Sequence, residues 1–422
     1  MIRELAFITL AVLGMESMAH GKSIEVCEAC DFATPFSAVT ACQDGDSVFI
    51  RKGTYTVQEL VIEKAITLYG EVGTVLDGDG KTILYVHHDS VQIADLTFQN
   101  VATNYVEDRA SVKCNNSDFL LLLRLKVRSS FFGILLEKCN DGAIESCSIL
   151  GDATADNYLE SSNGNAIHLW YCKRMTIRGN TVKRHRDGIY FEFVDNSTII
   201  DNRSVENMRY GLHFMFSNKN AYTNNTFEKN GSGVAVMYSD DVTMINNQFI
   251  DNWGGSAYGL LLKDITDSQL EGNHFRNNTI AISADNSSRI IMTNNRFEKN
   301  GYALRIMGNC SDNVIHANDF IANSFDVTTN SSTNYNDFNG NYWEEYTGYD
   351  LDRDGIGDVP YHPVKLFTYI IAQSPASIIL MRSTFIDLLN LAEKVTPVLT
   401  PETLVDQQPS MQLINDRLAS RT

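Results

Sequence analysis

Residues 225–249, NTFEKNGSGVAVMYSDDVTMINNQF, decide the fold, because the triplet Asn-x-Phe that opens and closes this stretch returns along the chain. The copies are Asn225-Thr226-Phe227, Asn247-Gln248-Phe249, Asn273-His274-Phe275, Asn295-Arg296-Phe297 and Asn318-Asp319-Phe320. The apolar column formed by their last residues extends upstream to Val205 and Val182, and its spacings from Val182 to Phe320 are 23, 22, 22, 26, 22 and 23 residues. A period near 22 residues over seven registers indicates a repeat architecture.

Each repeat also contains a short alternating strand. Residues 188–193, 211–216 and 233–238 place an apolar side chain at every second position, which is the period of β-structure. About 22 residues suit one coil of three short strands, and the signatures of helical repeats are missing. The sequence therefore predicts an all-β protein, a right-handed parallel β-helix solenoid with a C-terminal α-helical tail.

Asparagine supports this interpretation. Residues 180–341 contain 28 Asn, and Asn tolerates left-handed backbone angles at turns. We expect the Asn of successive coils to align in ladders, in which the side-chain amides bond from coil to coil.

The chain divides into five predicted segments. They are a signal peptide at 1–19, an N-terminal cap with the first coils at 20–97, the parallel β-helix at 98–335, a capping block at 336–373 and a helical docking tail at 374–422. Arg3, the apolar run from Leu5 to Leu13 and the small residue Ala19 form the signal pattern. Export would place the chain where disulfides persist.

Net charge limits the partners. The formal charge is -18 and the pI is near 4.9, so sequence-independent binding to nucleic acid is excluded as a function class, because phosphate contacts need clustered Lys and Arg. The sequence has no run of about 18 or more apolar residues, so we predict no transmembrane segment of its own.

Aligned strands predict a metal site on the outside of the solenoid. We align one inward column as Ile167, Ile189, Leu212, Val234, Leu260, Ile280 and Leu304, and a second as Leu169, Phe191, Phe214, Val236, Leu262, Ile282 and Ile306. The residues between them point outward and place His168, Glu192, His213, Met215 and Met237 in one exposed patch. His and Met form a soft ligand set that suits Cu(I). The alternative is structural or interface use of the same side chains.

The pair Cys27 and Cys30 is a second candidate metal site. A single Cys-x-x-Cys near Cys42 is compatible with a structural disulfide, a redox pair or metal binding. These alternatives stay open on the sequence alone.

Residues 350–358 resemble a calcium loop. Asp350, Asp352, Asp354 and Asp358 take its first, third, fifth and ninth places, and Gly355 takes the sixth. Position twelve is a tyrosine where a bidentate Glu is expected. The segment is therefore either a calcium site or a capping turn bonded to itself.

An apolar helix is predicted in the tail. It begins at Ser374 with Pro375 in its first turn and ends near Val395. Its apolar residues, including Phe385, Leu388 and Leu389, cover more than one face, which predicts docking on another protein. The alternative is packing against the last coil.

The sequence contains no recognisable catalytic constellation. The sequence offers no close pair of carboxylates and no Ser-His-Asp or phosphate-loop motif, so we predict that the protein is not an enzyme. The competing functions are a secreted carbohydrate-active β-helix protein, such as a lyase, epimerase or lectin, and a surface repeat protein with a structural role.

The signal pattern, the solenoid, the block from Asn341-Tyr342-Trp343 to Pro360-Tyr361 and the tail from Ser374 to Pro401 resemble the NosD family, which are β-helix proteins that assist nitrous oxide reductase maturation. The resemblance implies a non-enzymatic periplasmic protein that handles copper for the copper-sulfide centre of that enzyme. It further implies four partners: the membrane subunit and the ATPase of an ABC transporter, a copper chaperone lipoprotein and apo nitrous oxide reductase. The tail would dock on the membrane subunit.

Overall fold

The computed structural model describes residues 21–104, 106–152, 163–367, 370, 374–380, 383–386, 388–389 and 404–414. The predicted signal peptide and most of the loop 151–164 lie outside these residues. The described chain winds as a parallel β-helix whose coils contribute strands to three parallel sheets, which confirms the predicted fold class.

The three sheets are here called A, B and C. Sheet A contains β1 (Ser23–Val26), β2 (Ser47–Ile50), β5 (Thr67–Gly70), β8 (Gln92–Ala94), β11 (Leu121–Leu123), β14 (Ala143–Glu145), β17 (Thr176–Arg178), β20 (Thr198–Ile200), β23 (Ala221–Thr223), β26 (Thr243–Ile245), β29 (Gln269–Glu271), β32 (Ile291–Thr293), β35 (Ser311–His316) and β38 (Tyr335–Asp337). Sheet B contains β4 (Leu60–Ile62), β7 (Leu84–Val86), β10 (Ala110–Asn115), β13 (Phe132–Glu137), β16 (Ile167–Trp170), β19 (Asp187–Glu192), β22 (Tyr210–Met215), β25 (Ser232–Asp240), β28 (Tyr258–Thr266), β31 (Ile280–Asp285), β34 (Tyr302–Ile306) and β37 (Phe325–Thr328). Sheet C contains β3 (Thr54–Thr56), β6 (Val75–Asp77), β9 (Thr97–Val101), β12 (Lys126–Ser130), β15 (Ser148–Leu150), β18 (Thr181–Lys183), β21 (Arg203–Val205), β24 (Thr226–Glu228), β27 (Gln248–Ile250), β30 (His274–Arg276), β33 (Arg296–Glu298), β36 (Asp319–Ile321) and β39 (Tyr342–Trp343).

The Asn-x-Phe triplets form the start of sheet C strands and fill the core. The rings of Phe227, Phe249, Phe275, Phe297, Phe320 and Trp343 stack in sequence, with centroids 4.2 to 5.5 Å apart. All six side chains are buried. Burying one such ring contributes about 2–3 kcal/mol, so the repeated triplet both sets the register and stabilises the stack.

Asparagine forms two buried ladders. In the first, each Asn accepts the backbone N–H of its predecessor and donates its amide to the next Asn; the members are Asn180, Asn202, Asn225, Asn247, Asn273, Asn295, Asn318 and Asn341. The second contains Asn207, Asn230, Asn252, Asn278, Asn300 and Asn323. The ladders were predicted, but their members do not have left-handed backbone angles. Neighbouring turn residues such as Asn224 and Asn246 have those angles.

The register of one coil differs from the prediction. Leu260 pairs with Ile282, and Ile280 pairs with Tyr258, so the expected columns are displaced by two residues at β31. On the outer face, Leu261 therefore has Ser283 as its neighbour in the next coil. A slip of two keeps every side chain on the same face of the strand, so the apolar pattern alone could not reveal it.

One short helix and a disulfide form the N-terminal end. Helix α1 (Pro35–Ala41) begins after Thr34, whose hydroxyl accepts the backbone N–H of Ser37, and Pro35 takes the first helical position. Cys42 follows the helix and is buried under the first coils.

The C-terminal tail differs from a single α-helix. Pro375–Leu380 form a 3-10 helix, and the described residues 384–386 and 388–389 are helical after a break at Ser383. Among the described residues, none of the helices has the length and apolarity that a bilayer crossing would need. The predicted end of the helix near Val395 lies outside the described residues.

Residues 404–414 return to the solenoid instead of continuing a docking helix. Asp406 is fully buried and accepts the backbone N–H groups of Gly340 and Asn341 and the indole N–H of Trp343. The carboxylate thus takes the place of the next Asn in the first ladder. The last part of the tail therefore caps the β-helix, and the predicted segment boundaries stay predictions.

Candidate functional site

The predicted copper ligands lie on the outer face of sheet B. Register pairs His168 with Tyr190, Tyr190 with His213, and His213 with Ala235 along β16, β19, β22 and β25. A parallel column runs beside it and contains Trp170, Glu192, Met215 and Met237. The structure therefore brings the predicted residues onto one face, in adjacent coils.

This face is less exposed than predicted. His213 and Tyr190 are only 5% and 8% exposed, and His168, Glu192, Met215 and Met237 are half-buried. Aromatic stacking is the cause. The ring of His168 lies 4.7 Å from that of Tyr190, which lies 4.9 Å from His213, and Tyr210 covers His213 at 4.7 Å.

The stacking also separates the two histidines. Because the Tyr190 ring lies between them, His168 and His213 sit two coils apart and do not converge on one ion. The Tyr190 hydroxyl donates to the sulfur of Met215 at 3.7 Å. The two histidines therefore belong to separate parts of the face, and His213 shares β22 with Met215, which pairs with Met237 of β25.

The imidazole nitrogens on this face are poorly satisfied. Burial, assisted by the charge of Arg186, lowers the pKa of His168 to about 3. Its Nε2 and both ring nitrogens of His213 are buried without a hydrogen-bond partner. Buried polar atoms are normally bonded, so such atoms call for an ion, a ligand or water. Unpartnered imidazole beside thioether sulfur fits the ligand chemistry of copper.

An ion pair between Arg209 and the fully buried Asp187 lies beside His213. Asp187, the first residue of β19, is fully buried and accepts the Nε–H of Arg209 at 2.9 Å and the backbone N–H of Tyr210 at 3.2 Å. Although burial acts to raise the pKa of Asp187, the neighbouring His213 and the bonded Arg209 lower it to about 2. The carboxylate is therefore ionised, and its Oδ2 lies 3.8 Å from Nδ1 of His213.

Four aromatic residues beside this face, three of them exposed and Phe193 half-buried, were not identified from the sequence. Tyr171, Phe193, Phe216 and Tyr238 occupy the same turn of successive coils, and their ring centroids are 4.6 to 5.2 Å apart. All four have left-handed φ angles between 51° and 54°. Neighbouring coils place Lys138 and Asp264 at this turn. We call the four residues the aromatic edge. The signal in the sequence was a large aromatic after each outward strand residue.

Of the alternatives left open for the cysteine pair, the structure shows the disulfide. Cys27 and Cys30 are joined by a disulfide, so neither offers a thiolate to a metal in this form. The other six cysteines are buried and free of disulfides. Burial raises the pKa of Cys147 to about 12, which keeps its thiol protonated.

The predicted calcium loop gathers three of its four carboxylates. Oxygens of Asp350, Asp352 and Asp354 lie within 4.8 Å of one another, the only such group of His, Cys, Asp or Glu among the described residues. Each also accepts a backbone N–H of the same turn, and Asp358 accepts that of Leu351. These bonds are the ones expected for the capping-turn alternative, and calcium binding stays a prediction.

The predicted docking residues differ in exposure. Phe385 and Leu388 are 56% and 65% exposed, whereas Leu389 packs against a small cluster of Phe325, Phe367 and Ile386. The described tail therefore uses one side to contact the last coils and presents apolar side chains on the other.

Similarity to known proteins agrees with the resemblance found in the sequence. The family model of NosD, described as a periplasmic copper-binding protein, matches residues 151–348. A probable ABC transporter binding protein NosD of Pseudomonas aeruginosa is 29% identical over 400 residues, which cover 90% of this chain and 92% of that one. Its counterpart in Stutzerimonas stutzeri is 30% identical over 179 residues, or 38% of this chain and 41% of that one. The similarity to NosD and the periplasmic location are confirmed.

Solved structures share the fold at low identity. The A-module of the mannuronan C-5 epimerase AlgE6 of Azotobacter vinelandii has a TM-score of 0.52 and 13% identity, covering 73% of this chain and 86% of its own. The family 28 exopolygalacturonase of Yersinia enterocolitica has a TM-score of 0.55 and 11% identity, covering 76% and 78%. These likenesses show the β-helix fold alone.

Proposed function

We propose that this NosD-like chain holds copper on the outer face of sheet B and docks on the membrane subunit of an ABC transporter, as an accessory protein in maturation of the copper-sulfide centre of nitrous oxide reductase. One observation carries the proposal. His213 is a buried imidazole with two unpartnered nitrogens, and it shares its face with the thioethers of Met215 and Met237 on adjacent strands.

The ligand set favours Cu(I) as the bound ion. Thioether and imidazole are soft to intermediate ligands, whereas Mg²⁺ or Ca²⁺ would need several carboxylates. His213, Met215 and Met237 supply the core of the site. His168 and Glu192 flank it within the same two columns and extend the face over four coils.

The partners follow from the names of the relatives and from the tail. Both relatives are named as binding proteins of an ABC transporter. Exposed Phe385 and Leu388 offer an apolar contact for the periplasmic side of its membrane subunit, and the ATPase is coupled through that subunit. A copper chaperone lipoprotein would supply the ion and apo nitrous oxide reductase would receive it.

The carbohydrate-active alternative draws on the fold alone. Its support is the shared β-helix of an epimerase and a polygalacturonase at 11% to 13% identity. Fold does not determine function, so the shared β-helix alone does not favour this alternative.

Anaerobic Cu(I) titration of the mature protein against a competing chelator tests the copper site. We expect binding to weaken at least tenfold in His213→Phe, which keeps the stacked ring, and in Met215→Leu and Met237→Leu, which keep side-chain volume. Met307→Leu is the matched control, because Met307 follows β34 farther along the solenoid.

The result separates the possible sites. Equal affinity in the three variants and the control would overturn the proposed ligands. Loss of affinity only after reduction and alkylation of Cys27 and Cys30 would move the site to that pair. Absence of Cu(I) binding in the unsubstituted protein would overturn copper handling by this chain.

A further inference from the structure

Asp187 is a buried charge that the copper proposal does not use. Its side chain is fully buried at the start of β19, and removing a carboxylate from water costs several kcal/mol unless it is paired. Arg209 supplies that pairing with Nε–H to Oδ1 and Nη2–H to Oδ2, and the backbone N–H of Tyr210 adds a third bond to Oδ1. Oδ1 therefore accepts two hydrogen bonds, whereas Oδ2 accepts one and faces His213 without a hydrogen bond to it.

The Asp187 carboxylate lies just beyond hydrogen-bonding range of His213, with Oδ2 at 3.8 Å from Nδ1. Arg186 lies on the other side of this contact, with Nε 4.0 Å from the same Oδ2. The rings of Tyr190 and Tyr210 contact the imidazole, with centroids 4.9 and 4.7 Å away, and limit its rotation. Ala235, the next residue of the column, contributes only a methyl group. Asp187 is therefore the anion that faces Nδ1 of the ring.

The chemistry of the pair fixes which nitrogen carries the proton. An ionised carboxylate only accepts hydrogen bonds, so it favours a proton on the facing nitrogen, Nδ1. In a neutral imidazole the other nitrogen, Nε2, then keeps its lone pair. Carboxylates that orient metal-binding histidines in this way are common behind metal sites, and their loss lowers metal affinity about 10- to 100-fold.

We infer that Asp187 is a positioning residue, which holds His213 in the Nδ1–H tautomer and leaves Nε2 as the electron-pair donor for a soft metal ion. Arg209 acts one step farther away by fixing the carboxylate. The inference rests on the proposed function for its metal, but the tautomer of His213 is a property of the metal-free protein and can be measured without copper.

The substitution Asp187→Asn tests this role. The single amide oxygen would keep the bonds from Arg209 Nε–H and Tyr210 N–H at the position of Oδ1. The NH2 group would then take the place of Oδ2, lose the bond from Arg209 Nη2–H and face His213. A donor at that position favours a proton on Nε2. We therefore expect the tautomer to reverse and Cu(I) affinity to fall about 10- to 100-fold. Asp187→Glu keeps an acceptor and should retain the original tautomer.

Long-range ¹H–¹⁵N spectra of the metal-free full mature chain, labelled with ¹⁵N-histidine, measure the tautomer directly. The signal of His213 is assigned from the spectrum of His213→Phe. Asp240→Asn, a carboxylate substitution on β25, is the matched control and should leave the His213 signal unchanged. If Asp187→Asn does not fold, the spectrum of the unsubstituted protein and of Asp187→Glu still decides the tautomer.

The outcomes separate this inference from the proposed function. An Nε2–H tautomer of His213 in the unsubstituted protein would overturn the inference and leave the copper proposal to its own titration. Reversal in Asp187→Asn with unchanged Cu(I) affinity would also overturn it. The expected tautomer in a protein that does not bind Cu(I) would support the role of Asp187 in setting the ring and overturn the copper proposal.

Discussion

The four residues of the aromatic edge combine an unfavourable left-handed backbone angle with favourable ring stacking. A large side chain with a left-handed φ costs roughly 1–2 kcal/mol, and each of the four residues has such an angle. Stacking of neighbouring rings returns about 0.5–1.5 kcal/mol, so the net contribution to folding is close to zero. The same turn is left-handed at Lys138 and Asp264 in neighbouring coils, so the angle belongs to the fold and the stacking is what the four aromatic residues add.

Phe216→Asn is expected to change stability little. Asn tolerates the left-handed angle, and relief of strain offsets the lost stacking on Phe193 and Tyr238. Thermal unfolding should show a midpoint within a few degrees of the unsubstituted protein. Phe214→Asn, two residues earlier on the core side, should instead cost about 3–5 kcal/mol. A similar large loss for Phe216→Asn would contradict the assignment of a net-neutral position.

His185 makes stability depend on pH. Burial lowers the pKa of His185 from 6.5 to about 4, so between these values the unfolded chain binds a proton that the folded chain does not. The free energy of unfolding therefore falls as the pH drops from 6.5 to 4, by about 3 kcal/mol, and this loss is complete below the folded pKa.

Denaturation by urea at about pH 7 and about pH 4.5 tests this contribution, because these values lie near the two ends of the His185 titration. In His185→Leu the decrease between the two conditions should be smaller than in the unsubstituted protein. Other groups titrate equally in both proteins, so only the difference reports His185. An identical decrease would show that the imidazole is accessible to protons in the folded state.

Residue types on the outer face of sheet B could be predicted, but their environment could not. Alternation placed His213 and Met215 on the outside, and register confirmed their neighbours. Their burial arises from rings stacked between coils, a contact that depends on rotamers. The contact of Asp187 with Arg209 and His213 joins side chains 22 and 26 positions apart, which no local pattern reveals.

At the scale of elements, the first asparagine ladder holds adjacent coils in register. Asn273 accepts the backbone N–H of Asn247 and donates to the carbonyl of Met244 and to the side chain of Asn295. Asn273→Ala leaves at least two buried groups unbonded, so we expect a loss of about 2–4 kcal/mol. Asn277→Lys is the control, because Lys299 occupies the equivalent left-handed turn of the next coil.

Chemical denaturation of both variants gives the comparison. A large shift of the midpoint for Asn273→Ala with little change for Asn277→Lys is expected. Equal shifts would mean that the ladder contributes no more than the turns, contrary to its burial.

The two sides of the tail should have separable effects. Phe385→Ser together with Leu388→Ser removes exposed apolar surface, so we expect unchanged thermal stability and loss of co-purification with the transporter membrane subunit. Leu389→Ser is the matched variant and should lower stability, because Leu389 packs on the cluster around Phe325. Retained co-purification of the double variant would contradict the docking role of this side.

At the scale of the whole molecule, the sequence predicted the repeat and its fold but not how the solenoid ends. Period and alternation are local signals and repeat many times. The cap is built from contacts between distant residues, such as those of Asp406, which meets Asn341 and Trp343 from 65 and 63 positions away. No periodic pattern in the sequence indicates a contact over this distance, so residues 404–414 were grouped with the docking tail.

Truncation after residue 403 tests the cap. A solenoid is stabilised by contacts between neighbouring coils, and an uncapped end exposes its last core residues. Without Asp406, the N–H groups of Gly340, Asn341 and Trp343 lose their buried acceptor, and Phe320 and Trp343 become accessible to water. We expect a lower unfolding midpoint and faster hydrogen exchange in β36 and β39, with β18 and β21 unchanged. Truncation after residue 414 keeps the described cap and is the control. Equal behaviour of the two truncations would show that the end of the solenoid is stable without residues 404–414.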